Sequence, residues 1–127
     1  LIGRLVAEEG VNEKMAEFIN PIAILGEQMT KFTTEIGFKG MQNPDEVGAA
    51  AVDYLRVAGH LVFGYLFARM AQVSLRAIAA GSQDPFYVAK LQTARFYFAK
   101  LFPETVTLMR TARAGAKVLM DTDAALA

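Results

Sequence analysis

From Val11 onward, apolar residues recur at alternating intervals of four and three positions. The set comprises Val11, Met15, Phe18, Ile22, Leu25, Met29, Phe32 and Ile36. This spacing places the side chains on one stripe of an α-helix, and a β-strand cannot produce it. It predicts a helix over residues 11–40. Asn20-Pro21 lies inside the repeat, so this helix is either kinked there or replaced by a second helix that begins at Pro21. The unbroken spacing favours near-continuity.

A second helix is predicted from Asn43 to Gly81. Asn43 is a suitable N-cap, Pro44 suits the first helical position, and Asp45 and Glu46 complement the positive end of a helix. Its middle, residues 57–68, carries no formal charge. That run is well short of the roughly 20 apolar residues that cross a bilayer, so we expect a buried or interfacial helix and no transmembrane span.

A third helix is predicted over residues 84–120, after a left-handed cap at Gly81 and an N-cap at Asp84-Pro85. We expect it to bend at Pro103 without losing its phase. Its predicted core stripe is Tyr87, Leu91, Ala94, Phe98, Leu101, Phe102, Thr105, Leu108, Met109, Ala112, Ala116 and Leu119.

These elements predict an all-α, up-and-down bundle of three long helices, or four if Pro21 or Pro103 splits one. The length of 127 residues suits a single domain. Residues 1–10 are interpreted as a short lead-in segment, residues 11–120 as the bundle, and residues 121–127 as a frayed tail. Because the chain opens at Leu1 without a methionine, we expect it to be an excerpt from a longer protein.

The composition narrows the possible chemistry. The chain has no cysteine, which excludes disulfides, cysteine-ligated metals and thiol catalysis, and we expect a cytoplasmic location. His60 is the only histidine, and the position three residues before it is Val57 rather than a glutamate, so a carboxylate-bridged iron site is not expected. The phosphate-binding glycine loops and the nucleophile elbow are also missing. The sequence therefore predicts no catalytic, cofactor-binding or metal site within this chain.

Charge is distributed unevenly although the total is zero. Residues 1–53 carry nine acids and four bases, a net of −5, whereas residues 54–120 carry nine bases and two acids, a net of +7. One interpretation is an acidic helix packed beside basic ones, and the other is a basic face for an anionic partner. Nucleic acid is not an expected partner, because the net charge is zero and no recognition motif is present.

Four residues are candidates for an interface. Phe63 and Phe67 share one helical face with His60 and Arg56, and Phe96 lies opposite the core stripe of its own helix. His60 could be a capped or interfacial histidine, a metal ligand or a base. Phe96 either contacts another domain or is shielded by a neighbouring helix. Because these aromatic residues would leave an apolar patch, we predict a homodimer formed through the second helix around Phe63 and Phe67.

The order of aromatic and small-residue segments resembles a known extension. These segments are Leu1-Ile2-Gly3-Arg4, Tyr54 to His60, Gly64-Tyr65, Arg69-Met70-Ala71, Asp84 to Tyr87, Lys90-Leu91, Ala94 to Phe98, Leu101 to Thr105, Arg113 to Ala116 and Leu119-Met120. The pattern is similar to the C-terminal helical domain appended to a subgroup of acyl-CoA dehydrogenases.

The resemblance implies a parent enzyme that uses FAD to oxidise a fatty acyl-CoA between its α and β carbons. The flavin pocket and the carboxylate base would both belong to the part upstream of Leu1, and residues 1–10 would be the connector from that upstream catalytic part. In such enzymes the extension packs on the catalytic body, shapes oligomerisation and sometimes contacts a membrane. The alternative left open by the sequence is a stand-alone helical adaptor that binds a protein or an anionic surface.

Overall fold

The computed structural model describes residues 1–121, and within that range the chain is helical and contains no strand. The helices are α1 (Ile2–Glu9), α2 (Ala16–Gln42), α3 (Asp45–Ala79), α4 (Pro85–Phe96), α5 (Glu104–Ala112) and α6 (Lys117–Met120). A π-helical turn, Tyr97–Leu101, joins α4 to the bend before α5. The predicted all-α fold is confirmed. The predicted frayed tail, apart from Asp121, lies outside the described residues.

The core forms where α2 and the α4–α5 arm both pack against α3, which is the central helix. From the predicted stripe of α2, Phe18, Ile22 and Phe32 are fully or almost fully buried. They meet Val57, Ala68 and Ala71 of α3 and Ala94 of α4 in one cluster. The heptad spacing of α2 therefore identified its buried face correctly, except at its first position.

Val11, that first position, is 98% exposed, because α2 begins at Ala16 rather than at residue 11. Turns occupy the intervening residues: the backbone N–H of Asn12 donates to the Glu9 carbonyl, and the Asn12 side chain accepts from the N–H of Lys14. A short polar side chain that bonds the local backbone in this way competes with helix formation. Further along, α2 runs through Pro21 without interruption, as its spacing indicated.

The residues interpreted as a connector form α1, which packs on α2. Leu5 is 1% exposed and joins the core cluster. Glu9 is also buried, where it accepts hydrogen bonds from the side chains of Gln72, Arg76 and Asn12. Within the described residues, every buried side-chain polar atom has a partner. The lead-in segment is therefore part of the packed bundle.

The prediction of one continuous helix over residues 84–120 is wrong. It bends at the π turn and Pro103, α5 ends at Ala112, and Gly115 adopts a left-handed φ of 86° before α6 begins. Two residues of the predicted stripe are consequently exposed, Leu101 by 48% and Leu119 by 57%. The π turn adds a residue to the helical repeat, so Tyr97 and Phe102 are buried while Leu101 faces outward.

The residues before α3 and α4 form the hydrogen bonds that were expected of N-caps. Asp84 caps α4 by accepting from the N–H of Phe86, and Asn43 accepts from the N–H of Asp45.

Acidic and basic halves of the chain pair across the bundle. Ion pairs join Arg69 to Glu8, Arg76 to Glu9, Arg95 to Glu17 and Arg113 to Glu35. Each pair combines an acid from the first half of the chain with a base from the second. The interpretation of acidic helices packed beside basic ones is therefore confirmed, and these bases are not a free anion-binding face.

Gly64 allows the closest approach of α3 to its neighbours. A Cβ atom at this position would lie 2.7 Å from Ile22 Cγ2 and 3.1 Å from Phe102 Cε2, whereas a Cβ at Gly48 or Gly59 would meet open space. Gly64 therefore permits close helix packing, whereas Gly48 and Gly59 do not serve this purpose.

Gly64→Ala should lower the free energy of unfolding by about 1–2 kcal/mol, because overpacking outweighs the gain in helix propensity. The exposed Gly48→Ala is the matched control and should raise stability by about 0.5–1 kcal/mol. Urea denaturation of both variants measures the difference. Equal effects of the two substitutions would contradict the close approach at Gly64.

Candidate functional site

A polar cluster centred on His60 joins α3 to both ends of the bend between α4 and α5. His60 Nε2 lies 2.7 Å from Glu104 Oε2, and Nδ1 lies 2.9 Å from Tyr97 Oη. The Tyr97 hydroxyl donates to the backbone carbonyl of His60 at 3.0 Å. Because Tyr97 begins the π turn and Glu104 follows Pro103, these bonds hold the bend against the central helix.

Arg56, one turn before His60, completes the cluster. Its Nη2 lies 2.6 Å from Glu104 Oε1, and its Nε donates to Glu104 Oε2 at 3.2 Å. The hydrogen bond from His60 and the adjacent Arg56 charge hold the pKa of Glu104 below its ordinary value, despite partial desolvation. Burial raises the pKa of Tyr97 to about 12, so its hydroxyl stays protonated and able to donate. The arrangement is that of a fixed, internally satisfied cluster.

An open apolar groove of about 520 Å³ begins at this cluster and runs along α3. Gly59, Phe63, Phe67 and Leu101 supply its apolar lining, and Arg56, His60 and Glu104 supply its polar end. Phe67 stacks on Tyr97 with a centroid separation of 4.5 Å and an interplanar angle of 20°. We call this feature the arm groove, because it lies between α3 and the α4–α5 arm.

A second apolar groove, of about 370 Å³, lies between α2 and α3. Ile36 of α2 and Val47, Ala51, Tyr54 and Leu55 of α3 are among its lining residues. We call it the α2 groove. The two grooves run along the central helix on either side of its exposed face.

Between the grooves, α3 presents a row of exposed residues at heptad spacing that is apolar except at Arg69. The row is Val52, Leu55, Val62, Leu66, Arg69 and Val73, with the half-buried Gly59 between Leu55 and Val62, and we call it the α3 ridge. The exposed fractions are 78% for Val52, 73% for Leu55 and 59% for Val62. A ridge flanked by two grooves is the shape against which another helix packs. The ridge was not predicted from the sequence, because α3 is apolar around most of its circumference.

The four predicted interface residues have different environments. His60 and Phe67 are partly buried in the arm groove, where His60 is hydrogen-bonded to Tyr97 and Glu104 and Phe67 is stacked on Tyr97. Phe63 is 58% exposed at the edge of the ridge. Phe96 is also 58% exposed, which contradicts the alternative that a neighbouring helix of this chain shields it.

The structure also shows which polar residues surround His60. Arg56, which shares a helical face with His60, contributes to the cluster, and Asp53 outside it accepts a hydrogen bond from Thr111. Tyr97 and Glu104 were missed as members of the cluster. Both lie about 40 residues from His60 in the chain, so local periodicity carried no signal for them.

Across residues 1–121, there is no group of three or more potential metal ligands. The 35-residue α3 does meet the length and composition requirement for crossing a membrane, with a mean hydropathy of 1.2 over its best window. Residues 57–68, from which no transmembrane span was predicted, are shorter than this 18-residue window. The helix nevertheless packs on α2, α4 and α5, as the central helix of a bundle does.

The architecture defines the chain as a helical-bundle domain whose distinctive surfaces are apolar grooves and a ridge. The family model for acetyl-CoA dehydrogenase C-terminal-like domains matches residues 2–123, and the chain belongs to that family. It is therefore a C-terminal domain of an acyl-CoA dehydrogenase-like protein, as the resemblance indicated. A search of curated proteins found no match to this chain.

Proposed function

We propose that this chain is the non-catalytic C-terminal domain of a FAD-dependent acyl-CoA dehydrogenase, and that it packs on the catalytic part and pairs with a second subunit. FAD and the fatty acyl-CoA would bind upstream of this chain. The observation that carries the proposal is the amount of apolar surface that the folded bundle leaves exposed in a domain of this family. Large exposed apolar patches on soluble proteins mark sites of interaction with other protein surfaces.

Phe96 is the proposed contact with the catalytic part. It lies at the end of α4, outside both grooves, and its aromatic ring is more than half exposed. Burying such a ring against another domain would contribute about 1.5–3 kcal/mol. If the Phe96 ring stayed exposed to water, it would contribute nothing to the stability of the bundle.

Phe96→Glu should therefore lower the free energy of unfolding of the whole protein by about 1.5–3 kcal/mol, because it removes the contact with the catalytic part. The same substitution should leave the free energy of unfolding of the 127-residue chain alone unchanged. Thermal unfolding and limited proteolysis of both forms measure this difference. Phe38→Glu is the matched control, because Phe38 is 66% exposed on α2 and belongs to neither groove. Equal sensitivity of the whole protein to both substitutions would contradict the proposed contact and favour a stand-alone adaptor.

A further inference from the structure

We propose that Tyr97 and His60 form a hydrogen-bond switch that keeps the bend between α4 and α5 attached to α3 in both charge states of His60. The Tyr97 hydroxyl donates to His60 Nδ1 when the imidazole is neutral, and to the His60 backbone carbonyl when the imidazole is protonated. We call this exchange the Tyr97 switch. All of its contacts lie within this chain, so it requires no partner.

The Tyr97 hydroxyl has a single hydrogen and two acceptors within reach. Its oxygen lies 3.0 Å from the His60 carbonyl oxygen and 2.9 Å from His60 Nδ1. Because burial raises the pKa of Tyr97 to about 12, the hydroxyl keeps its hydrogen throughout the range in which histidine ordinarily titrates. The state of Nδ1 therefore determines which of the two acceptors receives that hydrogen.

The other ring nitrogen, Nε2, limits the states that Nδ1 can adopt. Nε2 lies 2.7 Å from Glu104 Oε2. The hydrogen bond from His60 and the Arg56 charge hold the pKa of Glu104 below its ordinary value, and an ionised carboxylate only accepts hydrogen bonds. Nε2 must therefore carry a hydrogen in both charge states. It follows that Nδ1 is an acceptor in the neutral ring and a donor in the imidazolium.

A rotation of the Tyr97 hydroxyl is enough to satisfy both states. Beside a neutral ring, the hydroxyl donates to Nδ1. Beside the imidazolium, Nδ1 donates to the hydroxyl oxygen, and the hydroxyl hydrogen turns to the His60 carbonyl. The Tyr97 ring stays in place in both cases, and so does Phe67, which is stacked on it. The wall of the arm groove therefore keeps its shape when His60 changes charge.

The charges around His60 act on the ring in opposite directions. Glu104 of α5 stabilises a charged ring, whereas Arg56 of α3 and the burial of all but 13% of the His60 side chain oppose it. Asp53 of α3 is bonded to α5 instead, and Lys100 of the π turn is exposed. Because histidine ordinarily changes charge between about pH 5 and pH 8, a cluster satisfied in only one state would weaken within that range. The Tyr97 switch prevents this loss.

Tyr97→Phe removes the switch and should weaken the fold more in acid than in base. A neutral ring then loses an ordinary hydrogen bond at Nδ1, but an imidazolium retains a largely buried charged donor without an acceptor, which costs more. In urea denaturation of the 127-residue chain, the folding equilibrium constant should fall roughly five- to tenfold more at about pH 5 than at about pH 8. An equal loss at the two pH values would overturn the switch.

Two controls show whether His60 is responsible for the difference. Tyr54→Phe removes a tyrosine hydroxyl that is bonded to Thr33 at 2.7 Å, so its effect should be the same at both pH values. His60→Gln replaces the ring by an amide that can still donate to Glu104 and does not titrate. In that background Tyr97→Phe should lose its pH dependence. A pH dependence that persists there would assign the effect to another group and overturn the switch.

Magnetic resonance of the unaltered chain tests the switch without any substitution. His60 is the only histidine, so the ring nitrogen signals of isotope-labelled histidine belong to it alone. We expect the neutral ring to carry its hydrogen on Nε2, with Nδ1 as the acceptor. A neutral ring that carries its hydrogen on Nδ1 would overturn the switch, because Tyr97 would then face a donor in both charge states.

Discussion

Replacing Phe18 with alanine should lower the free energy of unfolding by about 3–5 kcal/mol, the largest effect expected of a single substitution in this chain. The Phe18 ring is fully buried, with its centroid 6.0 Å from that of Phe98 and the Arg95 guanidinium 5.9 Å from its centre. Truncation would leave a cavity where α2 meets the arm, and close-packed interiors relax only partly around such a cavity.

The matched control is Phe38→Ala, which removes the same atoms from a ring that is 66% exposed. Its expected effect is within about 0.5 kcal/mol. Urea denaturation followed by circular dichroism measures both variants. A loss under about 1 kcal/mol for Phe18→Ala would mean that the buried face of α2 has been assigned wrongly.

Glu9→Ala should cost about 1–3 kcal/mol, because it leaves the buried amide of Gln72 without its acceptor. Gln72 is 1% exposed and donates to Glu9 Oε1, and Arg76 contacts the same oxygen at 2.9 Å. The adjacent Glu8→Ala is the control. Glu8 takes part only in ion pairs at the surface, which typically contribute about 0–1 kcal/mol.

The buried Glu9 carboxylate should make the stability of the fold depend on pH. The hydrogen bond from Gln72, with further bonds from Asn12 and Arg76, outweighs desolvation and lowers the pKa of Glu9. Its contribution to stability is therefore present above the pKa of the unfolded chain and is lost as the pH falls through the lower pKa of the folded state. In acid titrations of unfolding, Glu9→Gln should flatten this part of the pH dependence. An unchanged slope would contradict the assigned hydrogen bonds.

The face of α2 was predictable from sequence because α2 is a regular helix that packs mainly against α3, so its heptad positions fall on one buried stripe. The start of α2 was not predictable in this way. The apolar spacing extends back to Val11, but the Asn12 side chain bonds the backbone there and holds a turn. Periodicity reports which residues could share a face, and it does not report where local hydrogen bonds end the helix.

The arm shows the same limit at Tyr97 and Leu101. A regular helix through Pro103 would bury Leu101, but the π turn shifts the register and buries Tyr97 instead. That turn is held by bonds to His60, which lies far away in the chain, so no local pattern indicated it. The buried and exposed faces of α3 could not be distinguished from the sequence either, because the helix is hydrophobic around most of its circumference.

The most direct test of the account is the location of flavin and acyl-CoA chemistry in the parent protein. Flavin absorbance, and flavin reduction by fatty acyl-CoA, should be measured for the whole protein, for its upstream part and for this chain alone. We predict that flavin and turnover belong to the whole protein and its upstream part, and that this chain alone shows neither. Bound flavin or turnover in the isolated chain, or their absence from the whole protein, would contradict the assignment as a non-catalytic domain of an acyl-CoA dehydrogenase.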